Sequence, residues 1–242
     1  MTRRHLLRTL GSASAVLAAG CASSATDPSA TSSSSTGTNG TSTSGTATTS
    51  GACVVSPSET GGPYPDRTGM IGNSAFDRRD IREGKSGLPL TLVLTLVNVS
   101  SACSPVANAS VEIWQCDADG HYSEYSQAGF DGTGQTFLRG VQTIDAGGQV
   151  TFTTIYPGWY AGRATHIHVE VFVSGRSVKT TQIAFPESVT AAVYRSGVYA
   201  AKGQNTTSNA SDNVFSDGVS NELASLAGDT VNGYTAALTV GV

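Results

Sequence analysis

Leu90-Thr91-Leu92-Val93-Leu94-Thr95-Leu96-Val97 sets a leucine at every second position. The side-chain period of a β-strand is two residues, so all four leucines share one face and need a second apolar layer to cover them. Further short alternating runs follow at 111–114, 137–144, 150–155, 166–173 and 178–185. Between two of them, Asp145-Ala146-Gly147-Gly148 has the composition of a hairpin turn. No stretch beyond Cys53 sustains a helical period; residues 189–194 read as a short helix or turn and 234–240 as a closing strand. The expected fold is all-β: an antiparallel β-sandwich with long loops, filling residues 53–242 as one domain.

Ahead of that domain the composition is different. Residues 1–20 carry Arg3, Arg4 and Arg8 before a short apolar run and hold no acidic residue, the pattern of a signal peptide. Arg3-Arg4 followed by Leu6 and Leu7 suggests twin-arginine export, a route suited to proteins that load a cofactor before crossing; an ordinary secretory signal is the alternative. Leu17-Ala18-Ala19-Gly20-Cys21 resembles a bacterial lipobox, with Cys21 as the lipid-bearing residue. Residues 21–52 are Ser, Thr, Gly and Ala with a single charge, Asp27, a disordered tether that spans roughly 30 Å as a random coil. The expectation is an exported, extracytoplasmic protein, either a membrane-anchored lipoprotein or secreted. Oligomeric state has no signal in the sequence.

Without the signal arginines the chain holds 11 Lys and Arg, 14 less three, against 18 Asp and Glu, a net charge of about −7. That balance excludes nucleic acid as a partner, because phosphate binding needs concentrated positive surface. If Cys21 takes lipid, Cys53, Cys103 and Cys116 remain. Cys103 and Cys116 lie at opposite ends of an expected strand, roughly 20 Å apart at ~3.3 Å per residue. A disulfide needs Cα atoms within about 7 Å. Cys53 with Cys103 is therefore the preferred pair, with Cys116 a buried free thiol.

Beyond residue 20 the histidines are His121, His166 and His168, and Tyr122 and Tyr160 lie between the first and last of them. In His166-Ile167-His168-Val169-Glu170-Val171, strand alternation sends both histidines and Glu170 to one face and the aliphatics to the other. Two imidazoles spaced this way can meet one ion of iron, copper, zinc or nickel. A polar strand face explains the same spacing. The Pro157-Gly158 turn that precedes the pair can return Tyr160 and Arg163 beside it. Trp114 and Tyr156 read as core, Tyr125 as rim, His121 as a substrate or solvent contact, and Glu170 as support or solvent-facing.

Val111-Glu112-Ile113-Trp114-Gln115-Cys116-Asp117 with Gly120-His121-Tyr122-Ser123, then Phe137-Leu138-Arg139-Gly140, then 154–168, resembles the intradiol ring-cleavage dioxygenase family in order and spacing. Glu59-Thr60-Gly61-Gly62-Pro63-Tyr64 is similar to a segment these proteins carry before their first strand. The resemblance implies a non-haem Fe(III) held by Tyr122, Tyr160, His166 and His168. It also implies a catechol and O₂ as substrates and a muconate-type dicarboxylic acid as product. Tyr160 then corresponds to the ligand that leaves the metal and takes up a substrate proton, Arg163 to a charge that stabilises the ring anion, and Gln182 to a residue near the substrate. The chain departs from cytosolic catechol dioxygenases in lacking their long N-terminal helical region. It also reads Arg163-Ala164-Thr165 where many relatives have Arg-Pro-Ala. Two other readings remain: a non-catalytic extracellular β-sandwich binding module, and a copper or zinc enzyme using the His-x-His pair, which leaves the tyrosines without a role.

Overall fold

The leucine repeat becomes β1 (Pro89–Asn98), and all four leucines are buried. The computed structural model describes residues 53–242, so the expected signal peptide, Cys21 and tether lie outside the described residues. The other strands are β2 (Ser104–Pro105), β3 (Ala109–Trp114), β4 (Ser126–Gln127), β5 (Phe130–Asp131), β6 (Arg139–Thr143), β7 (Gln149–Ile155), β8 (His166–Val173), β9 (Arg176–Ala184), β10 (Ser225–Asp229) and β11 (Gly233–Gly241). One α-helix, α1 (Glu187–Val193), follows β9. Among the described residues no helix is long and apolar enough to cross a membrane.

β1 is paired along both edges, antiparallel to β7 on one side and parallel to β11 on the other, with β10 beyond β11. Among the named strands the parallel pair is the one exception to antiparallel pairing. The long connection after β9 leads into β10, which runs opposite to β1, and the turn between Asp229 and Gly233 then brings the chain back as β11 in the direction of β1. The second sheet has the order β6-β3-β8-β9, antiparallel throughout. Val111 and Ile113 of β3 and Ile167, Val169 and Val171 of β8 meet Leu90 to Leu96 of β1 and Phe152 of β7 in one core.

The outer face of this second sheet carries a row set by register, in which Arg139 pairs with Trp114, Trp114 with His168 and His168 with Gln182. Residues 53–88 form no long strand but run as a strap. Ser56 and Glu59 bond to Gly241 and Thr180, Phe76 and Arg78 to Val141, and Ile81 to Thr153. Met70 and Phe76 of the strap join Trp114, Cys116, Tyr122 and Val141 in a second apolar cluster. Cys53 is bridged to Cys103, with Cα atoms 5.7 Å apart, and Cys116 is a buried free thiol whose pKa burial pushes up to about 12. The turn at 145–148, the short helix and the closing strand appear where the sequence placed them. β10 does not show in the sequence, because Ser225-Leu226-Ala227-Gly228-Asp229 is an exposed or half-buried edge strand with no apolar alternation.

Leu92 is wholly buried at the centre of the core. Leu92→Ala should cost about 3 kcal/mol, the transfer and cavity terms together. Urea unfolding monitored by tryptophan fluorescence measures it, and a cost below about 1 kcal/mol would place Leu92 outside the core.

Candidate metal centre

Burial of Ile167, Val169 and Val171 forces His166 and His168 onto the outer face of β8, where both are buried beneath the strap. Their Nε2 atoms lie 3.1 Å apart with the rings nearly perpendicular, at 87°. His166 Nδ1 lies 2.6 Å from the Ala164 carbonyl oxygen. A carbonyl can only accept, so Nδ1 carries the proton and Nε2 presents its lone pair. His168 is held flat against Trp114, with ring centroids 4.7 Å apart and planes within 3°. Gly62 passes close to its Cε1 and Nε2 atoms. A Cβ there would lie 2.9 Å from His168 Cε1, and its φ of +71° also favours glycine. Burial first, then the Arg163 charge, lowers the pKa of His166 to about 3. Burial and the neighbouring His166 hold His168 well below the ordinary imidazole range. Both rings are therefore neutral bases.

Tyr122 arrives from a turn after β3. Asp117 Oδ1 accepts the backbone N–H groups of Asp119 and His121, and Gly120 adopts φ +83° against the Trp159 carbonyl, which any Cβ there would overlap. The Tyr122 turn is thereby docked on the turn that delivers Tyr160. The two tyrosine rings lie 5.7 Å apart at 78°, Tyr160 lies 5.7 Å from the His166 ring, and Tyr122 lies 6.3 Å from the His168 ring. Tyr122 is wholly buried, and its hydroxyl has no hydrogen-bond partner among the described residues. Tyr160 is half-buried. Burial raises both phenol pKa values, Tyr160 to about 12 and Tyr122 well above its ordinary value.

Arg163 is fixed on three sides. Its Nε donates to the buried Asp212 carboxylate at 2.9 Å, one Nη faces the Tyr160 hydroxyl at 3.4 Å, and the other donates to Gln182 Oε1. Gln182 Nε2 in turn donates to the Thr60 carbonyl of the strap at 2.8 Å. Asp212 also accepts the backbone N–H groups of Ala164 and Val214. The six residues singled out in the sequence, Tyr122, Tyr160, Arg163, His166, His168 and Gln182, thus converge on one site.

His121 is not among them. It stands half-exposed, stacked on Phe130 at 4.5 Å. Glu170 accepts from Ser177 one row farther along the sheet, and Tyr156 bonds Thr190 in the core. Trp114 is buried as expected, yet it does more than fill space, since it sets the plane of His168. Tyr64 stacks on Tyr122 at 4.7 Å and meets Tyr160 edge-on at 5.7 Å. Arg139 is wholly buried and donates to the carbonyls of Ser123 and Tyr64, pinning the strap to the Tyr122 turn. Asp212 was not legible from sequence, because it sits in Ser208-Asn209-Ala210-Ser211-Asp212, which has no periodicity and no motif.

A dioxygenase family model matches residues 62–214, which include all of these side chains. An intradiol ring-cleavage dioxygenase from Tetranychus urticae is similar in structure at TM-score 0.70 and 27% identity, over 78% of this chain and 94% of that one. The chain belongs to the intradiol ring-cleavage dioxygenase family. The dioxygenase domain of a dioxygenase and carbohydrate-binding fusion protein from Streptomyces sp. SirexAA-E is similar at TM-score 0.56 and 26% identity, over 78% and 98% of the two chains. 3-Chlorocatechol 1,2-dioxygenase from Rhodococcus opacus 1CP, at 22% identity and TM-score 0.51 over 77% and 72%, shares the fold. No curated protein sequence matches this intradiol family member.

Asp212→Ala would leave the Arg163 guanidinium without its buried anion and two backbone N–H groups without an acceptor. Losing one partner of a buried pair costs on the order of 3 kcal/mol. Chemical denaturation checks this, and a cost near zero would mean that the pair is solvent-screened.

Proposed function

We propose that this dioxygenase cleaves a catechol between its two hydroxylated carbons with O₂, at a non-haem ferric ion held by Tyr122, Tyr160, His166 and His168, giving a muconate-type dicarboxylic acid. The observation that carries the reading is the convergence of two neutral imidazoles and two phenols in one buried site, with the Tyr122 hydroxyl lacking a hydrogen-bond partner among the described residues. The donor set fits the ion. Two phenolates are hard anionic donors that favour Fe(III), whereas imidazoles with one carboxylate favour Fe(II). A copper or zinc centre on the histidines alone leaves Tyr122 buried and unpaired, at a cost of about 1–3 kcal/mol.

When bound, the ferric ion supplies Lewis acidity and a template for catechol and O₂. Everything else falls to the protein. Burial makes both phenols reluctant to ionise by themselves, so their deprotonation is tied to the cation. Tyr122 is stacked on Tyr64 and its hydroxyl has no other partner among the described residues, which suits a ligand that stays. Tyr160 is half-buried and faces the Arg163 guanidinium, so its oxygen has another place to go and can hold a substrate proton there. Arg163, oriented by Asp212 and Gln182, stabilises negative charge developing on the ring. Tyr64 and the strap cover the site and restrict water. The Cys53–Cys103 bridge supports an exported setting, where disulfides persist, and lipid on Cys21 would hold the domain near a membrane.

The visible spectrum of the iron-loaded protein tests the reading. A phenolate-to-iron charge-transfer band that shifts when catechol is added without oxygen is expected. A colourless iron-replete protein would overturn it and favour a binding module. Tyr122→Phe should weaken iron retention and remove most of the colour; a variant as coloured and active as the parent would exclude Tyr122 as a ligand. Arg163→Gln keeps the colour but should slow ring cleavage by roughly 10²-fold, the usual effect of losing a charge-stabilising group. Undiminished turnover would take Arg163 out of the mechanism.

A further inference from the structure

A second set of ligating side chains lies along the free edge of β9. The main-chain groups of Thr180, Gln182 and Ala184 that point away from β8 are capped from outside. Thr180 O accepts Glu59 N, Gln182 N faces Glu222 Oε1 at 3.5 Å, and Ala184 exchanges bonds with Glu222 O and Ala224 N. The capping brings three acids together. One carboxylate oxygen from each of Glu59, Asp217 and Glu222 lies within 4.8 Å of the other two. Asp217 is exposed, Glu59 half-buried and Glu222 wholly buried.

Glu222 is the informative member. Its Oε1 accepts the Thr181 hydroxyl at 2.9 Å, while its Oε2 is buried with no hydrogen-bond partner among the described residues. A buried, unpartnered oxygen on a carboxylate that neighbours two other carboxylates is costly unless something positive meets it. Among the described residues no Lys or Arg forms an ion pair with any of the three. Arg163, the cation whose charge reaches Glu59, is already committed to Asp212. Burial, with Glu59 and Asp217 adding repulsion, pushes the Glu222 pKa up to about 7, and burial and Asp217 raise that of Glu59.

We propose that Glu59, Asp217 and Glu222 form a calcium site, separate from the iron centre, that ties the strap and the 217–222 turn to the edge of β9. Ca²⁺ takes about six to eight oxygen ligands at about 2.4 Å in flexible geometry, whereas Mg²⁺ at about 2.1 Å demands a near-octahedral set and keeps most of its waters. Three carboxylates of graded exposure, with water completing the shell on the Asp217 side, suit the irregular geometry calcium accepts. The ion's effect is mechanical. It joins Glu59, next to the Thr60 carbonyl that anchors Gln182, to Glu222, which faces the Gln182 backbone N–H. It thereby stiffens the residue that holds Arg163.

The test is thermal unfolding of the full-length, iron-loaded protein after dialysis into calcium-free buffer, with CaCl₂ then titrated in. Saturating calcium is expected to raise the Tm by about 5 °C, magnesium by clearly less, and NaCl at matched ionic strength not at all. Glu222→Gln and Asp217→Asn should each abolish the calcium shift. Asp119→Asn, in the separate Asp117, Asp119 and His121 cluster, should keep it. Asp217 is exposed, so its variant stays informative if Glu222→Gln does not fold. Absence of a calcium shift in the parent, an equal shift with NaCl, or a shift that survives in Asp217→Asn would overturn the proposal. The visible band read from the same samples reports the iron site separately, so either claim can fail without the other.

Discussion

Ile167, Val169 and Val171 are buried between the sheets, and that single packing demand fixes where His166 and His168 can point. A strand offers two faces. A slip of one residue in β8 would bury the imidazoles in the aliphatic core and turn the branched side chains outward, an exchange that no hydrogen bond could offset. Because β3 and β9 flank β8, the same register also delivers Trp114 to one side of His168 and Gln182 to the other. The apolar core therefore sets the geometry of the polar site on its far side without contributing an atom to it.

What the sheet cannot supply is a roof. Parts of the chain far apart in sequence provide it: the strap with Gly62 and Tyr64, the interlocked turns bearing Tyr122 and Tyr160, and the segment carrying Asp212. Each is fastened by a buried charge, Arg139 under the strap and Asp212 beside Arg163. Hydrophobic packing is non-directional and tolerates small shifts, whereas a buried guanidinium with fixed acceptors does not. The use of charged fasteners at the roof and aliphatic packing beneath it matches the precision each layer needs.

The strands that line the core were legible because alternation of Leu, Val and Ile reports burial directly, and strand length argued against a Cys103–Cys116 bridge, which made Cys53–Cys103 the preferred pair. His166 and His168 could be read on the same ground. Tyr122 and Tyr160 could not, since turns carry no period, and their assignment leaned on motif order. Asp212 and β10 escaped for a common reason: one acts through a tertiary contact and the other pairs at an exposed edge, and neither leaves a local hydrophobic signature. The parallel pairing of β1 with β11 was equally hidden, because direction depends on the path of the chain between the two strands and not on the strands' own residues.

The support of Arg163 also bears on why an arginine stands at this position. Its Nε and both Nη groups each have a different partner, Asp212, Tyr160 and Gln182, spread over the planar fork. A lysine ammonium is a point charge on a flexible stem and could satisfy Asp212 only by turning away from Tyr160. Asp212 does not simply neutralise the guanidinium, because it binds the Nε side and leaves an Nη edge facing the tyrosine hydroxyl. The pair is thus a directed dipole held at the mouth of the site. Its direction is set by two backbone N–H groups on the carboxylate and by the Thr60 carbonyl acting through Gln182. Positioning of the charge therefore depends on the strap as much as on β8, which makes the N-terminal part of the domain a component of the proposed chemistry and not only its cover.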